Sequence, residues 1–77
     1  MKQKLNVLLA DDHKLLRAGL KLLLQRNPDF AVVGEAADGE QTLQLFQQLE
    51  PDLLLLDLSM PKMDGLDCLR EIKSRWP

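Results

Sequence analysis

The chain has 77 residues, 45% hydrophobic and 29% charged, which is the composition of one small folded domain and excludes a disordered segment. Ten Lys+Arg against twelve Asp+Glu give a net charge of −2, so no basic field draws the chain to nucleic acid or to an anionic membrane. A domain of this size buries only about 60% of the surface its unfolded form exposes, so the core must be thin.

Leu5-Asn6-Val7-Leu8-Leu9-Ala10 is a short apolar run and predicts a buried strand, closed by Asp11-Asp12. Leu16, Leu20, Leu23 and Leu24 then fall on one helical stripe, predicted to face inward. That helix should stop near Asn27-Pro28, because the residue before proline avoids the helical region. Phe30-Ala31-Val32-Val33 predicts a second strand. Asp38-Gly39-Glu40-Gln41 reads as a helix start with an acidic cap and a Gln three residues later. Leu43, Phe46 and Leu49 give this second helix its inward stripe, and Pro51 ends it. Leu53-Leu54-Leu55-Leu56 has no polar alternation and predicts a parallel strand covered on both faces, closed by Asp57. Pro61 to Gly65 is turn chemistry with Asp64 as the expected cap, and Leu66, Leu69, Ile72 and Trp76 line a third helix. No apolar run exceeds four residues, so none spans a bilayer. Met1-Lys2-Gln3-Lys4 has no long apolar stretch behind it, which predicts no signal peptide and a cytoplasmic location. The one cysteine, Cys68, allows no internal disulfide and suits a reducing compartment.

The order βαβαβα predicts parallel strands joined by right-handed crossovers, in the simplest case with strand 1 between strands 2 and 3. The chain then reverses direction across the sheet beside strand 1, and ligands bind at the carboxyl ends of strands at such a reversal. Asp11 and Asp12 close strand 1, and Asp57 closes strand 3. Neighbouring strands lie about 5 Å apart, so three carboxylates can converge there. Mg²⁺ would relieve their repulsion and let a phosphoryl group approach Asp57 as a nucleophile. Spacing alone leaves a second reading open, in which Asp11 or Asp12 caps the first helix and Asp57 merely ends a strand.

The motifs resemble the receiver domain of bacterial two-component response regulators. The matching segments are Leu8-Leu9-Ala10-Asp11-Asp12-His13, Gly34 to Glu40, and Pro51 to Gly65, the last with Met60-Pro61 and Asp64-Gly65 at set offsets from Asp57. The first two look most like the NarL/LuxR-type subfamily. The resemblance implies an α/β fold of the flavodoxin-like (CheY-like) class, a doubly wound parallel sheet cut to βαβαβα with strand order 2-1-3. It implies Asp57 as phosphoacceptor, Asp12 and Asp11 as Mg²⁺ carboxylates, the Ser59 backbone carbonyl as a further metal ligand, and Pro61 and Gly65 as residues shaping the loop. A sensor histidine kinase is the implied phosphoryl donor. The domain is then a phosphoacceptor that promotes its own phosphorylation and not a free-standing enzyme.

Receiver domains have five βα units and this chain has three, so residues 1–77 are expected to be the N-terminal part of a single receiver domain. The resemblance implies that the Ser/Thr and Lys that hold the phosphoryl oxygens in the family lie in the missing units, and that a LuxR-type parent carries a separate C-terminal helix-turn-helix domain. DNA binding is therefore expected of the parent and not of this piece. An exposed strand 3 edge, Leu53 to Leu56, predicts self-association, most simply a homodimer. The alternative function is a phosphorylation-incompetent fragment that only folds and self-associates. A haloacid-dehalogenase-like phosphohydrolase fits less well, because Asp11-Asp12-His13 lacks the Asp-x-Asp-x-Thr pattern of that family. His13, Lys14, Arg17, Lys21 and Arg26 are expected to be solvated, with a kinase contact on helix 1 as a lesser reading. Cys68 is expected to be a packed structural thiol, and Met60 and Met63 to flank the acceptor loop.

Overall fold

The computed structural model describes residues 4–57 and 65–75. Six elements follow in the expected order: β1 (Leu5–Ala10), α1 (Lys14–Gln25), β2 (Phe30–Ala36), α2 (Gly39–Leu49), β3 (Leu53–Leu56) and α3 (Gly65–Arg75). The strands form one parallel sheet in the order β2-β1-β3. Val7 lies opposite Val32 and Leu53, and Ala10 opposite Ala36 and Leu56, so the three strands end level with one another. β1 is central, and Val7, Leu8, Leu9 and Ala10 are at most 1% exposed.

The path steps from β1 outward to β2 and then back across β1 to β3. With right-handed crossovers, the first connection places its helix on one face of the sheet and the second on the other. α1 accordingly lies against β1 and β2, while α2 packs on the sheet and on α3. Leu43, Cys68 and Ile72 join Phe46, Leu54 and Leu56 between α2, α3 and β3. The α2 start is as expected: the Asp38 carboxylate accepts the Gln41 N–H at 2.9 Å, and the Gln41 side chain accepts the Ala37 N–H at 2.9 Å. Its end is a left-handed Glu50 (φ 45°) just before Pro51. Helix and sheet approach closely at Gly34, where a Cβ would fall 2.7 Å from Leu49 Cδ1 and 3.3 Å from Leu8 Cδ1. Gly34→Ala is therefore expected to cost up to about 1 kcal/mol, because the methyl ends of Leu49 and Leu8 must turn aside, read as a lower midpoint in urea unfolding.

Three packing expectations need correction. Leu16 and Leu23 do not face inward; they are 53% and 63% exposed. The half-buried positions of α1 are Arg17, Leu20, Lys21 and Leu24. This rotation lets both cations reach Glu35 on β2, and it leaves Leu15, Leu16, Leu22 and Leu23 on an outward apolar face. β3 is not covered on both faces: Leu53 is exposed and Leu54 to Leu56 are half-buried, because α1 leans over the β1–β2 side. On α3 the inward register is led by Cys68 and Ile72, and Leu66 is exposed. Asp64 and Trp76, expected as cap and as end of the α3 stripe, lie outside the described residues, as do Met60, Pro61 and Met63.

Candidate functional site

The level strand ends bring the acids together. The Asp11 N–H donates to the Ala36 carbonyl at 3.0 Å, and the Asp57 N–H donates to the Ala10 carbonyl at 2.9 Å. Both acids are thus tied to the last residue of a neighbouring strand, and their side chains leave the sheet at one place. Asp11, Asp12, His13 and Asp57 each offer a ligand atom, and these atoms lie within 4.8 Å of one another. Asp11 is buried, whereas Asp12 and Asp57 keep partial access to solvent. Neither Asp11 nor Asp12 occupies the cap position of α1. His13 does, without a side-chain cap hydrogen bond, and the Asp11 carboxylate turns back to accept the His13 N–H at 2.7 Å. Ser59, expected as a carbonyl ligand, lies outside the described residues.

His13 is exposed to solvent, as expected, yet its ring is not idle. Its Nδ1 lies 3.0 Å from Asp11 Oδ1, 3.2 Å from Asp12 Oδ1 and 3.7 Å from Asp57 Oδ2. The hydrogen bond to Asp11 is the main cause that raises the imidazole pKa above 6.5, followed by the negative charges of Asp12, Asp11 and Asp57. A pKa raised on folding stabilises the protonated form. That contribution is fully present below pH 6.5 and is lost as pH rises through the folded-state value. An NMR titration of the His13 ring should place its midpoint above 6.5, and Asp11→Asn should bring it back down.

The expectation of a solvated basic face on α1 is corrected at two positions. The Arg17 guanidinium donates through Nη1 to the Asp11 carbonyl at 2.6 Å and through Nε to Glu35 Oε1 at 3.1 Å. Lys21 Nζ reaches the other Glu35 oxygen at 3.1 Å. The Lys21 hydrogen bond leads the effects that hold the Glu35 carboxyl below its ordinary range, with its charge and the Arg17 contacts adding to it. Helical side chains lean back toward the N-terminus, so a residue one turn after the cap reaches over the strand end. Arg17 stands four residues after His13, and that spacing was the available signal. Cys68 is fully buried with its Sγ 3.8 Å from the Gly39 carbonyl, and burial raises its thiol pKa. It packs α3 onto α2, as expected, and should be alkylated slowly in the folded chain and quickly in urea.

Parallel strands, level ends and converging carboxylates describe an anionic cluster at the point where the chain's path across the sheet reverses. Residues 7–77 match the sequence model of the response regulator receiver domain. The chain belongs to the response regulator receiver family. It is 51% identical over 69 residues to the nitrate/nitrite response regulator protein NarL of Escherichia coli K12, covering 90% of this chain and 32% of that protein. It is 42% identical over its full 77 residues to a protein-glutamate methylesterase/protein-glutamine glutaminase of Pyrococcus horikoshii, spanning 21% of that protein. Among solved structures, a LuxR-family two-component response regulator from Aurantimonas sp. SI85-9A1 superposes with a TM-score of 0.91 at 34% identity, covering 96% of this chain and 53% of that one. The receiver-family chain thus spans about a third or less of the length of these two curated relatives. The NarL/LuxR-type likeness and the CheY-like fold with strand order 2-1-3 stand as expected. Among the described residues no helix is long and apolar enough to cross a membrane.

Proposed function

We propose that this receiver-family chain accepts a phosphoryl group on Asp57 from a sensor histidine kinase, with Mg²⁺ held by Asp11, Asp12 and Asp57. The observation that supports it best is the meeting of these carboxylates within 4.8 Å at the ends of β1 and β3. All three are oxygen donors, and two keep access to solvent, which suits a small hard cation that retains waters. When bound, such a cation offsets the negative charge that would otherwise repel an incoming phosphoryl group. An Asp57 oxygen then attacks phosphorus, a new P–O bond forms to the carboxylate, and the bond from phosphorus to the donor breaks with its electron pair leaving on the donor. Asp11, buried and tied to Ala36 and His13, supplies fixed negative charge, and Asp12 lies nearer solvent. The Ser59 carbonyl belongs to the same proposal as a further ligand.

We propose that residues 1–77 are the N-terminal part of one receiver domain in a cytoplasmic regulator. It is not itself an enzyme acting on other molecules, and DNA binding belongs to the longer parent. The outer edge of β3 has no partner strand among the described residues, and its leucines carry no charge or proline to block pairing. We therefore include homodimerisation through Leu53 to Leu56 in the proposal. Sedimentation of the chain at micromolar concentration should show a dimer, and a monomer there removes this part.

The test of the central reading is intact mass after incubation with a small phosphodonor and Mg²⁺. The chain should gain one phosphoryl group, and Asp57→Asn should gain none. Equal labelling of both would place the acceptor elsewhere. No labelling of the chain, under conditions that label a complete receiver, would reject acceptor chemistry here.

A further inference from the structure

Three groups converge on Asp11: the Ala36 carbonyl on its N–H, the His13 N–H on its carboxylate, and the Arg17 guanidinium on its own carbonyl. The last is the shortest, at 2.6 Å, and comes from a different element. The Arg17 side chain is only 16% exposed, and this contact is partly buried. Its Nε is fixed in turn by Glu35, which stands on β2 next to Ala36, the residue that accepts the Asp11 N–H. Lys21 donates to the second Glu35 oxygen at 3.1 Å, so both carboxylate oxygens are engaged. The result is a brace running from β2 through Glu35 and Arg17 to the peptide that joins Asp11 to Asp12.

We propose that Arg17 is a positioning residue for the cation pocket: braced by Glu35, it holds the Asp11–Asp12 peptide so that both carboxylates face Asp57. The inference rests on reading Asp11, Asp12 and Asp57 as the cation site. Arg17 meets the cluster through a backbone carbonyl, that of Asp11. The planar guanidinium suits this task because two of its N–H groups can be committed in fixed directions at once. A lysine at the same place keeps the charge but not the two-way grip.

Charge and positioning make opposite predictions, which makes the idea testable. Removing a cation near an anionic pocket should, by charge alone, tighten Mg²⁺ binding. Loss of positioning should weaken it, by about tenfold on the scale of groups that orient metal ligands. The experiment is calorimetric titration of Mg²⁺ into the full 77-residue chain, Arg17→Met, Arg17→Lys and Leu20→Ala. Leu20 is half-buried on the same face of α1, so Leu20→Ala loosens the helix while keeping the Arg17 hydrogen bond to the Asp11 carbonyl. Arg17→Met and Arg17→Lys should both bind about tenfold more weakly than the chain, and Leu20→Ala within about twofold of it. A second readout needs no metal: the His13 amide proton, hydrogen-bonded to Asp11 Oδ1, should lose its slowed exchange in Arg17→Met and keep it in Leu20→Ala. If the chain binds no Mg²⁺ but the His13 amide still responds to Arg17→Met, the cation reading fails and the brace stands. If Arg17→Met binds Mg²⁺ as well as the chain or better, or no worse than Leu20→Ala, or leaves the His13 amide unchanged, the brace is overturned.

Discussion

Asp12→Asn is expected to weaken Mg²⁺ binding by at least about tenfold while leaving the metal-free chain no less stable. The two effects have one cause. Asp11, Asp12 and Asp57 are like charges within a few ångströms of one another. In the absence of a cation they repel one another, and Asp11 does so from a buried position. Removing one charge relieves that repulsion, and at a partly solvated site the gain is about 0.5 kcal/mol at most. The same charge is one of few available to a hard cation, so its loss is felt strongly in binding. When protonated, the His13 ring offsets part of the repulsion. Stability is therefore best compared at alkaline pH, where that ring is neutral. Calorimetric titration and urea unfolding of the two proteins check both halves. An unchanged Mg²⁺ affinity would remove Asp12 from the site, and a large loss of stability would make it a structural residue.

Leu8→Ala should come close to unfolding the chain, whereas Leu15→Ala should change its stability by less than about 0.5 kcal/mol. Leu8 is fully buried in the central strand, against the place where α2 approaches Gly34. Truncating a buried leucine costs about 2–5 kcal/mol, because the cavity left behind collapses only in part. A domain of this length has about 4–12 kcal/mol in total, so the loss takes a large share of it. Leu15 is 88% exposed and loses almost nothing on truncation. Urea unfolding at low concentration separates the two. If Leu15→Ala proved as costly as Leu8→Ala, the outer face of α1 would have to be covered in solution, and the cost would then rise with protein concentration.

How much of this was legible in the residues depends on the kind of signal. Strand positions were legible because short apolar runs bounded by acids or proline have few other solutions, as at Leu5–Ala10 and Leu53–Leu56. The Asp38–Gln41 cap was legible because capping is local and spans three residues. Strand order followed from connection length and handedness, and with it the meeting of Asp11, Asp12 and Asp57. Helix rotation was not legible in the same way. The leucines of α1 occupy two faces, and periodicity cannot say which one docks. The docked face is the one that also brings Arg17 and Lys21 to Glu35, 18 and 14 residues away in sequence.

The sequence by itself therefore determined the six elements, their order, the parallel sheet and the place where acids collect, because each depends on patterns within one element or on chain connectivity. The tertiary structure alone decided which face of α1 is inward, how bare β3 remains, that Cys68 leads the packing of α3, and that His13 and Arg17 belong to the surroundings of the pocket. Those outcomes depend on distances between elements, and a linear pattern carries no information about such distances until the chain has folded.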